Sequence, residues 1–218
     1  MGKTAVDRAY EWLRSEIMNG SLSAGKFVEE VTVCEATGLS RTPVREAFHR
    51  LAGEGYVNLV PRRGAQVRGL SATELYEVFD VRFAIESHAL RQLCARRAGV
   101  PDAMRRALDL MVDFRELQTR DDYIEYGQLD IAFHRAGVEA SGNALLVQMY
   151  DTLRPLHERS SLAQARIAGE SLRHITTSQH QAILQALADH DIEAAVRVLG
   201  EHLRPIPEVP EMLGAGIE

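Results

Sequence analysis

Apolar side chains recur at three- and four-residue intervals along most of the chain, so helices are expected almost throughout. From about Thr4 to Met18, Ala9, Leu13 and Ile17 form one stripe with Trp12 beside it, and Asn19-Gly20 ends the helix. A short helix from about Val31 to Thr37 leads through Gly38 into one whose Val44, Ala47, Phe48 and Leu51 share a face. Ser40 or Thr42 can cap that helix, Pro43 suits its first turn, and Gly53 and Gly55 stop it. Two β-prone pieces, Tyr56 to Val60 and Ala65 to Arg68, flank Pro61-Arg62-Arg63-Gly64.

From Ser71 the texture is long helices without strand signals, and Ser71-Ala72-Thr73-Glu74 is a capping box that marks a boundary near Leu70. The spacing predicts helices to about Ala98, from Pro101 to about Thr119, from an Asp121-Asp122 cap to about Ala140, from Asn143 to about Ser160 with a kink at Pro155, from about Glu170 to Asp189, and from Asp191 to Leu203. The reading is a mainly α protein: a winged helix-turn-helix over 1–70, an all-α antiparallel helical bundle over 71–204, and a Pro- and Gly-rich tail over 205–218 expected to be loose.

Composition refines this division. The 218 residues are 45% hydrophobic, enough for real cores, and the net charge is −6. Ten basic against eight acidic side chains through Leu70 give +2, which leaves −8 for the remainder. A weakly basic head on an acidic body fits a protein that meets phosphate with one end only. Cys34, at the small buried position of the first short helix, and Cys94 share no ligand or redox spacing, and both read as small buried residues of a reducing cytoplasm. No apolar run is long enough to span a bilayer, so a cytoplasmic location away from membranes is expected.

The head carries its chemistry at one helix end. Arg41 precedes the helix through Leu51, and Arg45 and His49 continue at four-residue spacing, so cations gather where backbone N–H groups also favour anions. Such an end suits a DNA groove, with Arg62 and Arg63 on the hairpin tip placed for phosphates; a helical hairpin with a solvated basic face would carry similar residues. The phrase SRTPVREA, followed by a Gly-Tyr turn and PRRGAQV, closely resembles the DNA-binding domain of the GntR family of bacterial transcription regulators. That resemblance covers about the first third of the chain, and Arg41, Thr42, Arg45, Arg62, Arg63 and Gly64 are the residues expected to meet DNA. Val31 stands where some relatives carry a further basic contact, so base preference or affinity is expected to differ, and the wing reads Pro61-Arg62-Arg63, so any family contact by a histidine there is not carried over.

The helical body places polar residues on inner faces. Asp130 and His134 are four apart on one helix. His180 and His202 lie about ten and eleven residues on either side of the turn near His190-Asp191, so an antiparallel hairpin brings them level. Three histidines and a carboxylate suit a divalent transition metal, although an inward histidine is often a core residue bonded to a backbone carbonyl. Arg82 and Glu86 interrupt an apolar stripe, either as a half-exposed i, i+4 salt bridge or with the cation turned into a cavity to meet an anion.

The segments DIAFHRAGVEASGN and HQAILQALADHDIEAAVRVLGEHL resemble the FCD ligand-binding domain found behind the GntR head in the FadR subfamily. The resemblance implies that Asp130, His134, His180 and His202 hold a metal, zinc or else nickel or another transition ion. It also implies that a small organic acid binds beside the metal with Arg82 on its carboxylate and Asn143 as a further contact. The expected protein is a homodimeric regulator, in the sense of a repressor, whose two heads read a near-palindromic operator and whose operator binding an acid controls. Two other readings stay open: a metal-dependent hydrolase, against which no additional inward Glu or Asp stands near the ligands as a general base, and a constitutive DNA-binding protein with a structural metal.

Overall fold

The computed structural model describes residues 2–114 and 117–214, and the chain folds into two compact units, 1–70 and 71–217. In the first unit, α1 (Ala5–Met18) opens with a capping box in which Thr4 and Asp7 satisfy one another's backbone N–H groups. Its buried Ala9, Leu13 and Ile17 pack on α3 (Arg41–Gly53), which answers with Val44, Ala47, Phe48 and Leu51. Between them lies α2 (Glu30–Thr37), ended by Gly38 at φ +68, a left-handed conformation that glycine reaches without a Cβ penalty. Ser40 occupies the cap position of α3 but makes no side-chain cap bond.

Three antiparallel strands complete the unit in the order β1 (Phe27–Val28), β3 (Gly64–Val67), β2 (Val57–Val60). Strand β1, two residues long, is too short to show a period, and it emerges only through pairing with β3. Cys34 is half-buried rather than buried; its neighbour Val33 takes the fully enclosed place in α2.

In the second unit, α4 (Ala72–Arg96) starts from the Ser71–Glu74 capping box, and α5 (Asp102–Val112) follows Pro101. Helix α5 stops short of the expected Thr119; residues 115–116 lie outside the described set. Helix α6 (Arg120–Ala140) is capped by Thr119, with Asp122 as its capping-box partner rather than as the cap. The helix expected from Asn143 to Ser160 is two helices, α7 (Ala144–Asp151) and α8 (Arg154–Ala168). Pro155 has no N–H to give an upstream carbonyl, and it fits best where it stands, in the first turn of a new helix. Then come α9 (Glu170–Ala188) and α10 (Ile192–His202), an antiparallel pair joined at a tight turn.

Helix α6 packs against α4, α5, α7 and α8, and α10 lies on both α4 and α9, so the inner faces of α4, α6, α8, α9 and α10 converge. The loose tail is corrected in part: Glu208–Gly214 is a helix, α11, packed on α4 and α8 with Val209 buried. The Ile206 N–H donates to Gln164 Oε1 at 3.2 Å, and Pro210 falls in the first turn, where its missing N–H costs nothing. Residues 215–218 lie outside the described set.

Candidate metal centre and nucleic-acid interface

One helical turn separates Asp130 from His134 on α6, and the hairpin of α9 and α10 delivers His180 and His202 to the same point. One ligand atom from each of the four lies within 4.8 Å of all the others. The three Nε2 atoms stand 2.9 Å (His134 to His202), 3.0 Å (His134 to His180) and 3.3 Å (His180 to His202) apart. Asp130 Oδ1 is 3.4 Å from His180 Nε2, 3.7 Å from His134 Nε2 and 3.9 Å from His202 Nε2. Donors about 2.1 Å from a zinc-like ion sit about 3.0 to 3.4 Å apart in octahedral or tetrahedral arrangements; the three imidazole nitrogens stand at about that spacing, with the carboxylate oxygen somewhat farther from two of them.

Polar partners hold the backs of His134, His202 and Asp130. Glu86 Oε2 lies 2.6 Å from His134 Nδ1, and Gln179 Oε1 lies 3.0 Å from His202 Nδ1. Both acceptors draw the ring proton to Nδ1 and leave Nε2 a lone pair facing inward. His180 stacks on Phe133 with ring centroids 4.0 Å apart, and its buried Nδ1 has no partner among the described residues. His157 Nε2 meets Asp130 Oδ2 at 3.2 Å, which turns Oδ1 toward the imidazoles.

Burial, then the neighbouring imidazoles His202 and His134, pushes His180 well below its ordinary pKa, and burial with His134 pushes His202 down to about 3. Burial and then Arg82 bring His157 to about 4. Burial opposes the charge on Asp130, but hydrogen bonds from His134 and His157 outweigh it and its pKa falls well below the usual carboxylate range. For His134 burial is overcome by Glu86, and the pKa rises. Neutral imidazoles and an ionised carboxylate are the forms a transition metal needs.

Two residues that the sequence does not connect to the ligands touch this centre, His157 and Glu86. His157 sits on α8 and shares no stripe with the ligands, so no spacing pointed to it. Glu86 corrects the expectation that no further acid stands near the ligands, and only packing of α4 on α6 shows it. It is no free base, because Oε1 accepts from Arg82 Nε at 2.8 Å and from the Tyr150 hydroxyl at 2.9 Å while Oε2 holds His134. Burial opposes its charge, yet Arg82 and His134 keep it ionised, well below the ordinary range.

The Arg82–Glu86 pair is therefore fully buried rather than half-exposed. Burial works against the guanidinium, but Glu86, Tyr150 and Asp130 outweigh it and its pKa is raised. Its Nη2 is buried and has no hydrogen-bond partner among the described residues. Arg82 forms part of the wall of a cavity of about 110 Å³ that Asp130, His202, Gln179, Tyr126 and Thr176 also line. Asn143, expected to contact the acid, is exposed and caps α7 by accepting from the Leu146 N–H at 3.1 Å, and it does not line this cavity.

In the first unit, Arg41, Arg45, Arg62, Arg63 and Gly64 line an open cleft between the start of α3 and the wing, opposite Glu29, Glu30 and the exposed Val31. Thr42 is exposed at the same helix start but does not line the cleft. Arg45 Nε donates to Glu30 Oε1 at 2.6 Å, which leaves the rest of its fork outward. The Arg63 guanidinium lies 3.9 Å from the Phe27 ring centroid, so β1 props the wing. At Gly64, φ +85, a Cβ would fall 2.2 Å from the Val28 carbonyl oxygen; only glycine lets the wing close on β1.

A winged helix with exposed arginines around a cleft and a helical unit enclosing an imidazole–carboxylate centre beside a polar cavity are the parts of a DNA-binding transcription regulator with a ligand-binding regulatory domain. Residues 5–67 match the sequence profile of the bacterial regulatory proteins of the gntR family, and residues 77–205 that of the FCD domain. The chain belongs to the GntR family, with the FCD architecture of its FadR subfamily.

Relatives agree along its length. It is 26% identical over 213 residues to the gluconate operon transcriptional repressor of Bacillus subtilis, covering 96% of this chain and 86% of that one. It is 27% identical over 217 residues to the HTH-type transcriptional repressor GlaR of Escherichia coli, covering 96% and 97%. A crystal structure of a GntR transcriptional regulator from Rhodococcus sp. RHA1 shares the fold with a TM-score of 0.74 at 21% identity, over 99% of this chain and 100% of that one.

Proposed function

We propose that the protein is a metabolite-responsive transcriptional repressor that binds a near-palindromic operator as a homodimer and releases it when a small carboxylate occupies the helical domain. Repression rests on the repressor function of its relatives in Bacillus and Escherichia. Arg41 and Arg45 make guanine or phosphate contacts, Thr42 contacts phosphate, and Arg62 and Arg63, set by Gly64, hold the duplex at the wing. No described helix is long and apolar enough to cross a membrane, and a cytoplasmic place of action goes with this role.

Asp130, His134, His180 and His202 hold a divalent metal; the donor set suits zinc best, with nickel or another late transition ion also accommodated. With a metal bound, the centre supplies positive charge and free coordination positions for an acid's oxygens. The observation that carries the acid is Arg82 Nη2, a buried donor without a partner among the described residues at the wall of the cavity shared with Asp130 and His202. A buried, unpaired guanidinium nitrogen costs about 1–3 kcal/mol or more, which an incoming carboxylate recovers.

Retention of DNA from upstream of the protein's own and neighbouring genes, measured with and without a panel of small carboxylic acids and before and after chelation, tests the reading. One fragment should bind, one acid should release it, and chelation should remove the response to the acid. Absence of any specific fragment at moderate salt refutes the repressor reading.

A further inference from the structure

The carboxylate of Glu86 touches both halves of the proposed sensor. Through Oε1 it anchors Arg82 at 2.8 Å, and through Oε2 it holds the back of His134 at 2.6 Å. All three side chains are buried, so water screens none of these contacts. Oε1 also accepts from the Tyr150 hydroxyl at 2.9 Å, a contact that reaches neither Arg82 nor His134. Neither Glu86 nor Arg82 is among the four ligand residues, and Glu86 does not line the cavity.

We infer that Glu86 is a positioning residue that couples the two sites, so that metal at the His134 centre and a carboxylate at Arg82 strengthen each other's binding through its two oxygens. This rests on the metal and acid reading above. The physical route is short. An acid that takes up Arg82's outward hydrogen bonds weakens Arg82's hold on Oε1, and the carboxylate then accepts more strongly from His134 Nδ1. The opposite nitrogen, Nε2, becomes the better donor. Conversely, metal on Nε2 polarises the ring, tightens Nδ1–H on Oε2 and leaves the guanidinium freer to meet an anion. Coupling of this kind is reciprocal, so it can be read from the metal side alone.

The test is zinc affinity, by competition with a chromogenic chelator, with and without saturating acetate as the probe carboxylate. Acetate is expected to tighten zinc binding to the wild-type chain at least about fivefold. Glu86→Gln should weaken zinc about 10- to 100-fold and reduce the acetate effect to a small fraction of its wild-type size. Because Glu86→Gln leaves a buried guanidinium without its counter-charge, Glu86→Asp is the second variant: it keeps the charge but is too short to span both partners, and it too should lose the acetate effect. Tyr150→Phe, which removes neither link of the bridge, should keep it.

An acetate effect of unchanged size in Glu86→Asp, or one lost equally in Tyr150→Phe, overturns the coupling role while leaving the metal and acid sites standing. A wild-type chain that binds no zinc, or whose zinc affinity ignores acetate, overturns both readings together.

Discussion

His134 Nε2 and His202 Nε2 lie 2.9 Å apart, although each ring has an oxygen acceptor at its Nδ1. Two neutral rings in that tautomer would point lone pairs at each other. The contact is favourable only when a cation, a proton on His134 or a metal, lies among the nitrogens, and the raised pKa of His134 alongside the lowered ones of His180 and His202 fits a centre with room for one charge. A bound metal would supply that charge in place of the proton.

Metal removal should therefore cost stability. With free metal about a thousandfold above its Kd, binding contributes about 4 kcal/mol. For a helical unit of this size, chelation should lower the melting temperature on the order of 10 °C, measured by calorimetry. His180→Ala should melt at the same temperature with or without chelator, and equilibrium dialysis should find its stoichiometric metal gone.

His157 contacts no ion position directly, yet it orients Asp130. Replacing it with Phe keeps most of the volume and removes the 3.2 Å contact to Oδ2. Metal affinity should fall about 10- to 100-fold while all four ligand residues remain. Affinity equal to wild type would show that Asp130 needs no such support.

At the wing, Gly64→Ala sets a Cβ against the Val28 carbonyl in a left-handed backbone, at a cost of about 1–3 kcal/mol. Operator affinity should drop while metal binding and the melting of the helical unit are unchanged. Within the same interface, Arg45→Ala should cost about 1–3 kcal/mol and relax preference at one base position, whereas Arg63→Ala should weaken all sequences alike and reduce the salt slope by about one.

Asn143→Ala separates capping from ligand contact. It should destabilise the helical unit by about 1 kcal/mol through loss of the α7 cap. Acid-dependent release of DNA should keep its midpoint; a shifted midpoint would return Asn143 to the acid's surroundings.

Much is legible in the one-dimensional pattern because the signals are local. The capping box at Ser71 and the glycine at the α2–α3 turn are governed by residues within three or four positions, and they mark the boundary near Leu70 and the turn of the helix-turn-helix. His180 and His202 can be placed level because a tight antiparallel hairpin with equal rise in both arms needs no information from the rest of the fold. The break between α7 and α8 reads from sequence as a kink, since Pro155 alone does not say whether the preceding carbonyls find other partners.

By itself, then, the sequence determined the division into a basic winged head and an acidic helical body, and which faces of α3, α6, α9 and α10 carry the polar chemistry. Only the tertiary structure decided that Arg82 and Glu86 are buried together, that Glu86 reaches His134, that His157 turns Asp130, and that two residues of β1 close the wing. Apart from the Arg82–Glu86 pair within α4, those relations join residues on different elements, across 27 positions for His157 and Asp130. Periodicity shows which side of a helix is inward, but which partner waits there is settled by how the helices pack.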